Sequence, residues 1–258
     1  TFPLPEILQE LLRVGQREMR NPIEIEFAVK LDVPPGKPKE FSFLQIRPII
    51  QSMETVSKLP ENLDISETII YSESALGNGK YENICDVVYV KPETFNSANT
   101  RDIANAVEEI NRKFVALDKP YILVGPGRWG SSDSWLGIPV LWSQISAAKI
   151  IVESGLNNFR IDPSQGTHFF QNLTSFKVGY LTINPFINDG FFDVDYLNKQ
   201  EAVFEDSYLR HISFKNALTA IIDGENNKAA IFKEGISLEN SASNIEESFE
   251  ELPPEGFM

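Results

Sequence analysis

Four polar side chains interrupt two apolar runs near the start of the chain. Glu24 and Glu26 lie in Ile23-Glu-Ile-Glu-Phe-Ala-Val29, and Gln45 and Arg47 lie in Phe41-Ser-Phe-Leu-Gln-Ile-Arg-Pro-Ile49. Each run alternates with a period of two and is rich in Ile, Val and Phe, so it reads as a strand whose i and i+2 side chains share a face. The two carboxylates then point together, and so do the amide and the guanidinium. Between the runs, Asp32-Val-Pro-Pro-Gly-Lys-Pro-Lys39 is turn-forming and long enough for a loose hairpin that sets the two polar faces side by side. Carboxylates with an amide suit a hard cation such as Mg2+, and a guanidinium suits phosphate. The same four residues can also form an ion-pair ladder across a half-exposed hairpin, which needs no ligand.

Three further places could carry chemistry. Gly125-Pro-Gly-Arg-Trp-Gly-Ser-Ser132 directly follows the apolar strand Tyr121-Ile-Leu-Val124, and Gly125, Gly127, Arg128 and Ser131 there offer flexible backbone, a guanidinium and a hydroxyl to an anion. It lacks the Gly-Lys-Ser/Thr ending of a Walker loop. It also reads as a simple turn, with Arg128 against Asp133 and Trp129 as a plug. His168, one of two histidines, lies in Ser164-Gln-Gly-Thr-His-Phe-Phe170, where a helix is expected to begin and where free N–H groups would favour a phosphoryl group. A capping or core histidine is the other reading. The second histidine, His211, sits in Tyr208-Leu-Arg-His-Ile-Ser-Phe214 and is expected to be a strand residue without chemistry. Asp189, Asp193 and Asp195 miss the EF-hand spacing and read as a surface turn. Cys85 is the only cysteine, which excludes an internal disulfide and sites built from several thiolates. Trp135 and Trp142 are expected in the core.

The stretch from Ile7 to Ile49, with Gly15-Gln-Arg-Glu-Met19, Pro22-Ile-Glu-Ile-Glu-Phe27 and Leu44-Gln-Ile-Arg-Pro48, resembles the end of the ATP-grasp domain of the phosphoenolpyruvate synthase and pyruvate phosphate dikinase family. The resemblance implies ATP and Mg2+ as cofactors, Glu26 and Gln45 near the metal, Glu24 supporting them, and Arg47 on phosphate. It also implies that ATP is split to AMP and phosphate, with the β-phosphoryl carried by a histidine on a swivelling domain to pyruvate or a related acceptor. Ser74-Ala-Leu-Gly-Asn-Gly-Lys80 followed by Asp86-Val-Val-Tyr-Val90 resembles the opening of that swivelling domain, and Thr167-His168 matches its carrier site in two or three residues only. The family's Thr-Ser-His-Ala-Ala signature is absent, as are the other half of the ATP-grasp site and a substrate barrel, which alone needs roughly 250 residues. The expectation is therefore a C-terminal portion of a longer phosphotransferase, whose missing N-terminal portion is its first partner and which has little activity by itself. A non-catalytic ligand-binding or regulatory module that retains an ATP-grasp remnant is the alternative.

These residues need elements to hold them. Pro5 to Arg20 carries apolar residues at helical spacing, with Pro5 suited to the first turn, and should pack on the Glu24 strand. Strands are expected at Ile69–Tyr71, Val87–Val90, Tyr121–Val124, Gly179–Ile183, Ser207–Phe214, Leu218–Ile222 and Ala229–Phe232. Helices are expected at Asn99–Ala116 and at Ser143–Ser154, the latter ended by Gly155. The fold class is α/β (α+β), with an ATP-grasp end over residues 1–60, a β-rich swivelling-like β/α domain over 61–237 and an acidic tail over 238–258. With 258 residues and 42% hydrophobic content the chain can bury one or two cores. A net charge of −14 argues against nucleic acid as a partner. No apolar run reaches the roughly 20 residues needed to cross a bilayer, so no membrane is expected and the cytoplasm is the default location.

Overall fold

The computed structural model describes residues 2–20, 22–34, 36–48, 57–157, 159, 173 and 177–236. The chain begins with helix α1 (Leu4–Met19), followed by strands β1 (Ile23–Lys30) and β2 (Glu40–Pro48). Pro5 lies in the first turn of α1, where its missing N–H costs nothing, and Arg20 ends the helix in the left-handed conformation. The two strands form the expected antiparallel hairpin, with Ile25 opposite Ile46, and α1 packs on β1. Gly15 makes this packing possible: a Cβ there would lie 2.5 Å from the Ile23 Cδ1 and 2.7 Å from the Ile46 Cδ1. A glycine inside a helix costs about 0.5–1 kcal/mol relative to alanine, and here that cost is offset by close approach of helix to hairpin.

The larger part of the chain forms β3 (Thr68–Ser72), β4 (Ser74–Leu76), β5 (Gly79–Val90), helix α2 (Thr100–Leu117), β6 (Tyr121–Pro126), the short pair β7 (Arg128–Trp129) and β8 (Gly137–Ile138), β9 (Ala148–Ser154) and β10 (Gly179–Ile183). It continues through β11 (Phe191–Phe192), helix α3 (Val194–Asn198), β12 (Ala202–Glu205), β13 (Leu209–Asp223) and β14 (Lys228–Phe232). Ten strands share one mixed sheet in the order β11-β3-β14-β13-β5-β6-β9-β10-β4, with β12 attached to β13. Neighbours among β5, β6, β9 and β10 run parallel, and the other pairs run antiparallel. Only Glu73 separates β3 from β4, although β3 pairs with β14 and β4 with β10. The sheet therefore curls back on itself, and the Ser72 hydroxyl donates to the Thr182 carbonyl at 2.8 Å across the join.

Alternation along the strands sorts the apolar side chains into two layers. Val87, Tyr89, Ile122, Val124, Ile150, Val152, Leu181, Ile183, Ile212 and Ile231 belong to one cluster, which fills the curl and includes Leu197 of α3. Val88, Val90, Leu123, Ile151 and Tyr180 point the other way, where Ile103, Val107, Ile110 and Phe114 of α2 cover them. The stripe expected for α2 is thus its packing face. Met19 packs against this outer layer, and Arg20 pairs with Asp118 at the end of α2, so α1 contacts the larger sheet.

Several sequence expectations change. Ser143–Ser154 is not a helix: Trp142–Gln144 makes one 3-10 turn and Ala148–Ser154 is strand β9. Ile145, Ala148 and Val152 fit helical spacing, but β9 lies between β6 and β10 with both faces covered, where a continuous β-branched run is what a strand requires. Ser207–Phe214 and Leu218–Ile222 merge into β13, whose register shifts between Ser213 and Leu218. Trp135 is 74% exposed rather than in the core. Cys85 lies within β5, between β13 and β6, and is half-buried. Among the described residues no helix is long and apolar enough to cross a membrane. The expected tail beyond residue 237 and the expected helix start at His168 lie outside the described residues.

Two stability measurements test this packing. Gly15→Val should destabilise the chain by roughly 1–3 kcal/mol through overpacking between α1 and the hairpin, read as a lower urea midpoint. Burial holds the Lys149 ammonium down to about 8, with Lys177 and Arg20 adding repulsion. An unfolded lysine keeps its proton to about pH 10.4, so above pH 8 the unfolded chain binds more protons and stability rises with pH. The rise ends near pH 10, where unfolded tyrosines ionise while burial keeps Tyr81 and Tyr89 protonated to about 12. Lys149→Met should flatten the rise between these limits and stabilise the chain at neutral pH; an unchanged profile would contradict it.

Candidate functional site

The hairpin register sets Glu24 opposite Arg47 and Glu26 opposite Gln45. Directly opposed residues share a face, so all four side chains lie together, away from the Ile25–Ile46 pair. Arg47 bridges both carboxylates, with its Nε 3.1 Å from Glu24 Oε1 and its Nη2 2.5 Å from Glu26 Oε1. The three charged side chains are 50%, 56% and 52% exposed, so these ion pairs are each worth only about 0.2–1 kcal/mol. A guanidinium so weakly held can turn to a phosphate at little cost.

Two carboxylates and an amide oxygen fit Mg2+ in donor chemistry, since this ion is commonly held by one or two carboxylates together with substrate phosphates and water. They do not form a cage for a metal alone. Among the described residues no group of three or more His, Cys, Asp or Glu side chains could hold an ion. Glu26 and Gln45, the expected metal ligands, are thus adjacent and open, and Glu24 and Arg47 flank them.

The second expected site is a packed turn at the carboxyl end of β6. The Trp129 ring fills the space at Gly125, where a Cβ would lie 2.4 Å from Trp129 Cζ2. Gly127 has φ +78°, and a Cβ on it would meet Phe159 at 2.7 Å and Gly137 at 2.8 Å. Both glycines admit neighbouring parts of the protein. The Ser131 hydroxyl donates to the Asp133 carbonyl at 3.0 Å and so belongs to the turn, while Arg128 is half-buried beside it. Trp129, expected as a surface plug, is 1% exposed.

Comparison with protein-family models, curated proteins and solved structures finds no match. The site therefore rests on its own geometry. His168, the expected phosphoryl carrier, lies outside the described residues.

Sequence reading missed two buried acidic groups at the ends of the parallel strands. Glu153 near the end of β9 is fully buried and accepts the Trp129 backbone N–H at 3.0 Å and the Tyr180 hydroxyl at 2.6 Å. Thr182 Oγ1 in turn donates to the Tyr180 oxygen at 3.1 Å. This carboxylate joins β9, β10 and the Gly125 turn. Its signal was a charge closing the run Ile150-Ile-Val-Glu153, hidden by the helix expectation. At the opposite end of the parallel strands, Asp86 pairs in register with Tyr121 at the start of β6, and its Oδ1 lies 2.8 Å from His211 Nε2. These residues are 125 positions apart, so no local pattern announces the pair.

Glu153→Ala should lower stability by roughly 3 kcal/mol or more, because it strands a tyrosine hydroxyl and a backbone N–H in the interior. Tyr180→Phe should cost roughly 2 kcal/mol through loss of one charge-assisted hydrogen bond. Urea midpoints at constant slope measure both; neutral substitutions would mean that the network contributes nothing.

Proposed function

We propose that the chain is part of an ATP-dependent phosphotransferase resembling the phosphoenolpyruvate synthase and pyruvate phosphate dikinase family, with the hairpin as one wall of a Mg2+–ATP site. One observation carries this reading: the register of β1 and β2 groups Glu24, Glu26, Gln45 and Arg47 on one open face, opposite the side that packs toward α1. Phosphoryl transfer depends chiefly on positioning and on neutralising charge, which is what two carboxylates for a metal and a guanidinium for phosphate can contribute. Glu26 and Gln45 face the metal, Glu24 supports them, and Arg47 leaves its carboxylates for a phosphate oxygen. Phe27, Phe43 and Leu44 of the hairpin are 37%, 47% and 62% exposed, which supports a reading in which a further lobe completes the wall. The phosphoryl carrier is His168 and the acceptor is pyruvate or a related small acid.

A non-catalytic ligand-binding module is the second reading. It needs only the open hairpin face, because the Gly125 turn, the anion site first expected for it, is filled by Trp129 and Gly137.

The test uses the longest natural form of the protein, Mg2+ and ATP labelled on the β-phosphate. AMP formation and acid-labile label on the protein are expected. Label should vanish in His168→Asn, and Glu26→Gln or Arg47→Ala should slow AMP formation by roughly 100-fold or more. Undiminished turnover in Glu26→Gln would falsify the placement of the site. Saturable ATP binding without label would select the second reading.

A further inference from the structure

We propose that the cleft between the C-terminal end of α2 and strands β12–β13 binds a small organic anion with an aromatic or branched apolar body. The cleft has a volume of 360 Å³, within the range of small-molecule sites. Its apolar wall is Phe114 and Phe204, with Leu117 and Val203 at 64% and 65% exposure offering further apolar surface. Its polar groups are Lys113, Lys119, Ser213 and the Asp86–His211 pair. A mostly apolar pocket with a few convergent polar groups is the usual form of a ligand site.

The charges select the ligand's sign. In a chain of net charge −14, neither Lys113 nor Lys119 has a carboxylate partner among the described residues. The Lys113 ammonium instead sits 5.3 Å from the centre of the Phe204 ring. The carboxylate of the cleft, Asp86, is 7% exposed and engaged by His211 Nε2 at 2.8 Å. That contact fixes the imidazole, whose edge also meets the Phe114 ring with centroids 5.3 Å apart. The other ring nitrogen has no hydrogen-bond partner among the described residues. It accepts from a ligand when the ring is neutral and donates to an anion when the ring is protonated. Two ammonium groups and an oriented imidazole thus surround an apolar pocket. This site lies at the opposite end of the parallel strands from Glu153 and does not involve the hairpin face.

Both lysines also lie near the negative end of α2, and cations there stabilise a helix. That role alone predicts a stability loss on their removal and no ligand response at His211. The chain has only two histidines, so isotope labelling of histidine reads His211 directly, with His168→Asn used to assign the signals. Phenyl phosphate and phenylacetate are the probes; inorganic phosphate and phenol test the charge and the ring separately. A saturable shift of the His211 signal with either probe is expected, weakened roughly tenfold in Lys113→Met/Lys119→Met and with either control compound. The tighter probe identifies the headgroup. No response to either probe up to roughly 10 mM, or equal binding of a probe by the double variant, phosphate or phenol, overturns the proposal.

Discussion

Glu73 alone separates two strands that pair with distant members of the same sheet: β3 lies beside β14, and β4 lies beside β10. A ten-stranded open sheet would present two edges with unpaired N–H and C=O groups. Bringing β3 and β4 together at Glu73 turns the path back on itself and encloses the inner apolar cluster. The remaining architecture follows from this closure. With one face of β5, β6, β9 and β10 turned inward, the other needs its own cover, supplied by α2 and the segment through Trp129, Ile138 and Ile145. Both faces of these strands are apolar because both are buried.

Closure also explains where the buried polar groups occur. Ile122, Val124, Ile150 and Val152 leave no inward room for charge, so Glu153 and Asp86 are satisfied by neighbours on the outer layer. Each is a carboxylate whose ionised form would be costly to bury without partners. Glu153 draws on a tyrosine and a backbone amide at the carboxyl end of β9, and Asp86 draws on a histidine of the adjacent strand, β13. The first arrangement is closed over by Trp129. The second opens onto a cleft, because the C-terminal end of α2 and β12 leave a gap above His211. Similar charge burial thus supports a rigid joint at one end and an accessible site at the other.

What the sequence reveals depends on whether the deciding contact is local. The α1 helix, the β1–β2 hairpin, α2 and β10 were legible because their apolar periods match the faces they bury. The grouping of Glu24, Glu26, Gln45 and Arg47 was legible too, since it follows from period two and one hairpin. β9 was misread because Ile145 before it and Ala148 and Val152 within it satisfy a helical template, and what overrides that template is pairing with β6 and β10. The Asp86–His211 contact was invisible for the same reason. The Gly125 loop was half legible: its glycines do permit close approach, but what approaches is Trp129 rather than a ligand.

The hairpin differs from the rest of the protein in how loosely its polar side chains are committed. Glu153 cannot leave its partners without exposing buried donors, whereas Arg47 can leave Glu24 and Glu26 for water at almost no cost. The structure shows an ion-pair ladder, and the proposed metal–phosphate site would use the same four side chains after a turn of one guanidinium. Stability does not distinguish them, because half-exposed pairs contribute little to it. What distinguishes them is a highly charged ligand: a metal-bound phosphate would compete for both carboxylates and for the guanidinium at once. The rigid backing of this face by Gly15, Ile23 and Ile46 keeps the four groups together while their pairing changes. Fixed positions with exchangeable partners are what the proposed phosphoryl transfer would require of this surface, and such half-exposed pairs add little to the stability of the fold.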